Sequence, residues 1–123
     1  MATVTVPGRA DIVPALRALV GSLLAHHPAL DDIRLMATEM ISNAIRHTRS
    51  GEDNGTLTLT VLDLRRATRV EVIDQGCTTS RPHLCDDMPQ DNEDGYGLRL
   101  VTALAAKWDT VAWGEGSKTW FEA

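Results

Sequence analysis

Two neighbouring segments in which apolar and polar residues alternate constrain the fold of this chain most strongly. Residues 56–64 read TLTLTVLDL and residues 68–74 read TRVEVID, and only residues 65–67 separate them. Alternation with a period of two places successive side chains on opposite faces of a strand. Because so short a link suits adjacent antiparallel strands, we predict a strand pair with one face packed against helices.

Helical periodicity precedes this strand pair. Apolar residues recur at helical spacing over residues 11–26, and Pro28 marks the end of that helix. A second helix is expected to run to about Thr48, with Asp31 or Asp32 as its N-cap. The two predicted helices supply the apolar faces that a sheet needs to cover one of its sides.

The two ends of the chain complete the predicted architecture. TVTV at residues 3–6 predicts a first strand, and a third helix is expected to begin near Gly97. Residues 108–113 and 117–123 predict a closing hairpin around residues 114–116. The resulting order is β-α-α-β-β-loop-α-β-β, so the predicted fold class is α+β, a two-layer α/β sandwich.

Bulk properties limit the kinds of protein this chain can be. A length of 123 residues suits one domain spanning 1–123, and the net charge of −5 argues against binding to nucleic-acid phosphates. No apolar run approaches the roughly 20 residues that span a bilayer, and the first residues lack the features of a secretory signal. We therefore expect a cytoplasmic protein without a membrane partner, whose Cys77 and Cys85 are reduced thiols or form a redox-sensitive loop.

The segment between the predicted strand pair and the third helix has a different character. Residues 75–95 contain two prolines and several polar residues without a helical or strand period. Loops of this length in a compact domain are typical of lids and binding loops. The segment is acidic, with no Lys or Arg between His83 and Gly95. A solvated mobile lid and a surface that docks a basic partner both remain open.

Polar residues on the second helix form the first candidate site. Glu39 and Asn43 lie four residues apart, and Arg46 and His47 follow on the next turn in the same sector of the helix. A carboxylate and an amide among apolar residues need partners, which can belong to the protein or to a ligand. A hydrogen-bonded pair on the helix surface is the alternative explanation.

Two glycine-containing segments form the second and third candidates. Asp74-Gln75-Gly76 ends an apolar strand, and a carboxylate there can accept a hydrogen bond from an exocyclic amine. Gly95-Tyr96-Gly97-Leu98 opens a helix, whose N-terminal N–H groups suit a phosphate. Taken alone, each segment is also compatible with a simple turn or helix start.

The order and spacing of these three segments resemble a known family. EMISNAIRH, VIDQG and GYGLRLV are similar to the N, G1 and G2 boxes of the GHKL ATPase superfamily, within which the chain most resembles small anti-sigma-factor serine kinases and histidine-kinase-like ATPases. The resemblance extends over nearly the whole chain, including the closing KTWF strand. It implies the Bergerat ATP-binding fold, with ATP held between helices and sheet beneath a lid.

The resemblance also implies roles for individual residues. Asn43 would coordinate Mg²⁺ and Glu39 would act as the general base toward a serine hydroxyl of a protein substrate. Asp74 would bind the adenine amine, and Gly76 would let the ring approach. Thr119 in the closing strand would support the adenine end.

The remaining implied contacts are with the phosphates. Gly95 and Gly97 would direct backbone N–H groups at the phosphates. Tyr96 and Leu98 would belong to the same nucleotide-binding segment. Arg46 or His47 would reach a phosphate, and charge favours Arg46.

One departure from the family pattern keeps the function open. The G1 box often has a second glycine, where this chain has Thr78. The first hypothesis is an ATP- and Mg²⁺-dependent serine/threonine kinase that phosphorylates a small antagonist protein, sequesters a sigma factor and forms a homodimer, as relatives often do. The second is a nucleotide-binding interaction module without kinase activity, and the third is a pseudo-ATPase that binds partners without nucleotide. A sensor histidine kinase would need an additional helical hairpin with its phosphoacceptor histidine.

Overall fold

The computed structural model describes residues 1–52, 54–64, 67–76 and 95–123. Short 3-10 turns precede the first helix and follow the second, at Ala10–Ile12 and Arg49–Gly51. The helices and strands are, in chain order, β1 (Ala2–Pro7), α1 (Val13–Leu23), α2 (Leu30–His47), β2 (Thr56–Leu64), β3 (Ala67–Asp74), α3 (Gly95–Leu104), β4 (Lys107–Trp113) and β5 (Gly116–Glu122).

The described strands form one antiparallel sheet in the order β1-β2-β3-β5-β4. The alternating segments pair as predicted, with Leu59 of β2 opposite Val72 of β3. The closing hairpin then lies beside this pair, because β5 runs antiparallel to β3 with Thr119 opposite Val72. The two hairpins therefore meet at the β3–β5 border, where strand β3 ends at Asp74.

The helices cover one face of the sheet, and α2 is central to that layer. It packs against α1, α3 and β3. Its buried side chains recur every three to four residues, as an amphipathic helix requires: Ile33, Met36, Ala37, Met40, Ile41 and Ala44. They meet Leu59, Val70 and Val72 of the sheet in a single core. The predicted α+β two-layer sandwich is therefore confirmed.

The N-terminus of α2 differs from the prediction. The helix begins at Leu30, its N-cap position is Ala29, and no side chain caps it, so the prediction of Asp31 or Asp32 as the N-cap is wrong. The reason is local, because the Ala29 N–H donates to His27 Nδ1 at 3.0 Å and the chain turns into the helix earlier. Both aspartates lie in the first turn, where a negative charge is favourable to the helix dipole.

Some large apolar side chains of the helix layer are exposed to solvent. Leu35 and Leu104 are 42% and 38% exposed, whereas their neighbours Met36 and Val101 are fully buried. Helix α3 begins at Gly95, two residues before the expected start. Most of the predicted lid, with Cys77, Thr78 and Cys85, lies outside the described residues. Over the described part of the chain, no helix combines the length and apolarity that crossing a membrane requires.

Candidate functional site

The polar face of α2 supplies the first part of the candidate site. Glu39 and Asn43 are half-buried and lie one turn apart on the helix. The Asn43 side-chain oxygen accepts a hydrogen bond from Arg46 Nη2 at 3.2 Å. Arg46 is exposed and His47 is half-buried at the last turn. The predicted sector of α2 therefore exists, with Asn43 and Arg46 joined within it.

The end of strand β3 supplies the second part. Asp74 Oδ1 accepts the Gly76 N–H at 2.7 Å, which closes a tight turn after the strand. Asp74 Oδ2 accepts the Ser117 hydroxyl at 2.7 Å, and Ser117 faces Asp74 across the β3–β5 pair. Each carboxylate oxygen has a further lone pair. Asp74 is thus fixed in orientation while it keeps acceptor capacity for another donor.

Two glycines let the β4–β5 turn lie against this strand end. Gly76 has φ +90°, and a Cβ there would lie 2.5 Å from the Glu115 carbonyl oxygen. A Cβ on Gly116 would collide with the Asp74 carbonyl oxygen. Only residues without a Cβ permit both approaches. The backbone contact holds the hairpin turn beside Asp74.

Thr119 lies on the helix-facing side of β5, two positions beyond Ser117. It stands opposite Val72, and its hydroxyl shares a hydrogen bond of 3.1 Å with that of Thr110 on β4. The side chain that touches Asp74 is therefore Ser117, which the sequence pattern did not single out. A serine directly after the glycine that ends a hairpin turn is a signal for it, but only the β3–β5 register makes Ser117 the neighbour of Asp74.

The third predicted segment opens α3. The helix begins at Gly95, so Tyr96, Gly97 and Leu98 belong to its first turn. The first N–H groups of an α-helix have no partner within the helix. The N-terminus of a helix can present backbone donors and a partial positive charge to an anion.

The tertiary structure joins the helix and strand parts of the site. α2 packs on β3, and Asp74 shares the helix-facing side of β3 with Val70 and Val72. The Gln75 N–H donates to the Ser50 hydroxyl at 3.0 Å, so the residue after Asp74 is bonded to the segment that follows α2. The strand end that carries Asp74 is therefore bonded to the turn after α2, while α2 itself packs on the same strand.

The donor set of the site suits a metal that is bound through a ligand. Among the described residues, no three or more His, Cys, Asp and Glu side chains lie together as a metal-binding group. Mg²⁺ accepts one or two protein oxygens and completes its shell with waters and phosphates. The Asn43 amide oxygen fits that requirement as a single protein ligand.

An antiparallel sheet covered on one face by helices, with polar groups of α2 and an acid-ended strand where the layers meet, defines a GHKL-type sandwich. The family model described as the histidine kinase-like ATPase domain matches residues 6–122. The chain belongs to this family, and its predicted resemblance is confirmed.

A solved structure provides a relative for the fold. The chain is similar to the RsbU and RsbW domains of Rv1364c from Mycobacterium tuberculosis, with a TM-score of 0.65 and 17% sequence identity. The similarity covers 99% of this chain and 31% of that one, so this chain spans about a third of that protein's length. Among curated proteins, none is significantly similar to it in sequence.

Proposed function

We propose that this chain is an ATP-binding regulatory protein of the anti-sigma-factor type, which phosphorylates a serine or threonine of a small antagonist protein and sequesters a sigma factor. Membership of the histidine kinase-like ATPase family and the fold shared with a structure of RsbU and RsbW domains support this proposal. The observation that carries it is the fixed carboxylate of Asp74, held by Ser117 and Gly76.

At the base end of the site, Asp74 recognises adenine. Its carboxylate oxygens keep acceptor capacity after bonding Ser117 and the Gly76 N–H, so they can accept the exocyclic amine. Because both existing bonds hold the carboxylate in one orientation, nucleotide binding loses little conformational entropy at this side chain. Gly76 allows the ring to approach the turn, and Thr119 supports the same end from β5.

At the phosphate end, Asn43 would hold Mg²⁺ through its side-chain oxygen, and the metal would supply positive charge against the phosphates. Arg46 now bonds the Asn43 oxygen, and a cation bound there would compete with it. Arg46, rather than His47, then reaches a phosphate, because its guanidinium remains charged. Backbone N–H groups at Gly95 and Gly97 provide further phosphate donors.

Glu39 carries the chemical step. It lies one turn before Asn43 and is half-buried, and both features support its role beside the proposed metal ligand. As general base it accepts the proton of the substrate hydroxyl while that oxygen attacks the γ-phosphorus. The products are ADP and the phosphorylated antagonist. The protein acts in the cytoplasm, and a homodimer is its proposed assembly.

Phosphoryl transfer from γ-labelled ATP to a candidate antagonist tests this function. Glu39→Ala should retain ATP binding but lose about a hundredfold or more of the transfer rate, since general-base catalysis contributes on that scale. Asn43→Ala should lose the Mg²⁺-dependent part of ATP binding, measured by calorimetry. Glu52→Ala, at an exposed site, is the control that should behave as the wild type.

Two results decide between the hypotheses. Undiminished transfer in Glu39→Ala would contradict the role given to that carboxylate. ATP binding by the wild-type protein without transfer to any antagonist that it binds would instead identify a nucleotide-binding interaction module without kinase activity.

A further inference from the structure

The segment after α2 contains a buried hydroxyl that the proposed reaction does not use. Ser50 lies in the 3-10 turn Arg49–Gly51 and is 0% exposed. Its oxygen accepts the N–H of Gln75 at 3.0 Å, and Gln75 is the residue between Asp74 and Gly76. The hydroxyl therefore connects the end of the helix that carries Asn43 to the strand end that carries Asp74.

Hydrogen bonds continue this connection back into α2. The Ser50 N–H donates to the Thr48 hydroxyl oxygen at 3.1 Å. The Thr48 hydroxyl donates in turn to the carbonyl oxygen of Ala44, the residue that follows Asn43. A continuous path of hydrogen bonds thus runs from the neighbour of Asn43 to the neighbour of Asp74.

Backbone packs closely against the turn that contains Ser50 on two sides. A Cβ on Gly8 would collide with the Ser50 carbonyl oxygen, so the end of β1 packs directly on this turn. A Cβ on Gly51 would collide with the Ile45 carbonyl oxygen, so the turn also packs on α2. Backbone on both sides fixes the position of the hydroxyl.

Gln75 is held from a second direction as well. Its side-chain oxygen accepts the Thr56 N–H at 2.8 Å, which ties it to the start of β2. The peptide between Asp74 and Gly76 therefore has a main-chain tether to Ser50 and a side-chain tether to β2. Of these two tethers, the one to Ser50 leads to the helix that carries Glu39 and Asn43.

We infer that Ser50 is a positioning residue, which fixes the strand end at Asp74 relative to Asn43 and so sets the spacing between the adenine and phosphate ends of the nucleotide site. This inference rests on the proposed function. Ser50 acts through Gln75 rather than by touching the nucleotide. Without the hydroxyl, the Gln75 N–H loses its acceptor in the turn after α2, and the turn that orients the Asp74 carboxylate loses this tether.

Base selectivity is the readout that a purely structural role would not change. Adenine has an exocyclic amine that donates a hydrogen bond to Asp74, whereas the hypoxanthine base of IDP carries an oxygen at that position. The Kd for IDP divided by the Kd for ADP therefore reports the orientation of Asp74. In Ser50→Ala we expect this ratio, measured by calorimetry, to fall roughly fivefold, the scale of one lost hydrogen bond.

Thr60→Ala is the matched control. Thr60 is 7% exposed, lies on the side of the sheet away from the helices, and shares a hydroxyl hydrogen bond of 3.2 Å with Thr3. The Thr60→Ala substitution should lower the thermal midpoint, as Ser50→Ala should, but leave the ratio of Kd values unchanged. A folded Ser50→Ala protein with the wild-type ratio overturns the inference.

Amide hydrogen exchange on the nucleotide-free wild-type protein provides a test that needs no variant. The Gln75 amide should be protected before nucleotide binds, because Ser50 already holds it. Exchange of this amide at the rate of an unstructured chain would overturn the inference. If the wild-type protein binds no ADP while its Gln75 amide is protected, the proposed function fails and the positioning role fails with it, although the hydrogen bond itself exists.

Discussion

Glycine at residue 76 is required twice over by the backbone around it. Its φ of +90° lies in a region that side chains disfavour, and the space where a Cβ would point is filled by the Glu115 carbonyl. The same residue donates its N–H to the Asp74 carboxylate. A single position thus fixes the turn, the contact with the β4–β5 hairpin and the orientation of the candidate adenine ligand.

We predict that Gly76→Ala destabilises the protein by about 3 kcal/mol, because backbone strain and a steric collision add at one site. Gly114→Ala is the control. Gly114 also has positive φ, at +59°, but no atom lies within 4 Å of the position that a Cβ would take there. The Gly114→Ala control should destabilise the protein by about 1 kcal/mol, because only the backbone strain of positive φ applies there. Urea unfolding of both variants measures the difference, and equal losses would contradict the collision.

Several residues of the site could be selected from the sequence because their neighbours along the chain identify them. Glu39 and Asn43 share a helix face at a spacing of four, and Asp74 ends a strand before a glycine. Ser117 and Ser50 could not be selected in this way. Their roles depend on which strand lies beside β3 and on where the turn after α2 packs, and neither is a local property of the sequence.

At the scale of elements, the sheet face away from the helices is stabilised by a polar network across β3 and β5. Arg69 donates to Glu122 at 2.9 Å, and its guanidinium lies 4.0 Å from the centre of the Trp120 ring. Glu71 lies 3.5 Å from Arg69 and is only 9% exposed. Cross-strand pairs of this kind fix the register that also brings Ser117 to Asp74.

We predict a coupling free energy of about 1 kcal/mol between Arg69 and Glu122 in a double-mutant cycle with alanine at both positions. Their side chains are 29% and 16% exposed, so water screens the pair less than at an open surface. The control pair is Asp31 and Arg34 on α2, at 3.1 Å but with Asp31 92% exposed.

The control cycle should give less than about 0.5 kcal/mol, as exposed helix pairs do. Both cycles use the free energy of unfolding in urea at the same ionic strength. Equal coupling in the two pairs would show that the partial burial of Arg69 and Glu122, on the sheet face away from the helices, does not strengthen their interaction.

At the scale of the whole molecule, the candidate site links elements that are distant in sequence. α2, the end of β3 and the start of β5 all contribute to it, and the Ser50 and Ser117 hydrogen bonds join them. A ligand that binds only when these elements are assembled stabilises the folded state. Nucleotide binding should therefore be visible in the unfolding of the entire chain.

We predict that Mg-ATP at about one hundred times its Kd raises the free energy of unfolding by about 2.7 kcal/mol. Asp74→Asn should lose most of this gain, because an amide in place of the carboxylate presents a donor where the adenine amine needs an acceptor. Differential scanning calorimetry with and without Mg-ATP measures the shift in the thermal midpoint of both proteins.

Asp63→Asn, near the exposed end of β2, is the matched control and should respond to Mg-ATP like the wild type. An unchanged midpoint of the wild-type protein at saturating Mg-ATP would contradict nucleotide binding and favour a partner-binding protein without nucleotide. An equal response of Asp74→Asn would instead remove Asp74 from the adenine site.

The sequence by itself determined the types of element and the two-layer class. Periods of two and of three to four residues report which side chains share a face, and these are properties of the local backbone. Local pattern was less reliable for helix ends and marginal positions. The start of α2 depends on a hydrogen bond to His27, and the exposure of Leu35 and Leu104 depends on what packs beside them.

Only the tertiary structure decided which hydroxyls hold the strand end at Asp74. The β3–β5 pairing brings together residues 74 and 117, and the packing of the turn after α2 brings Ser50 to Gln75. These contacts join residues far apart in the chain, and they form because burying the α2 face on the sheet fixes where the segments lie. The physical reason is that hydrophobic burial selects the arrangement of the layers, whereas a short polar motif reports only the chemistry available within it.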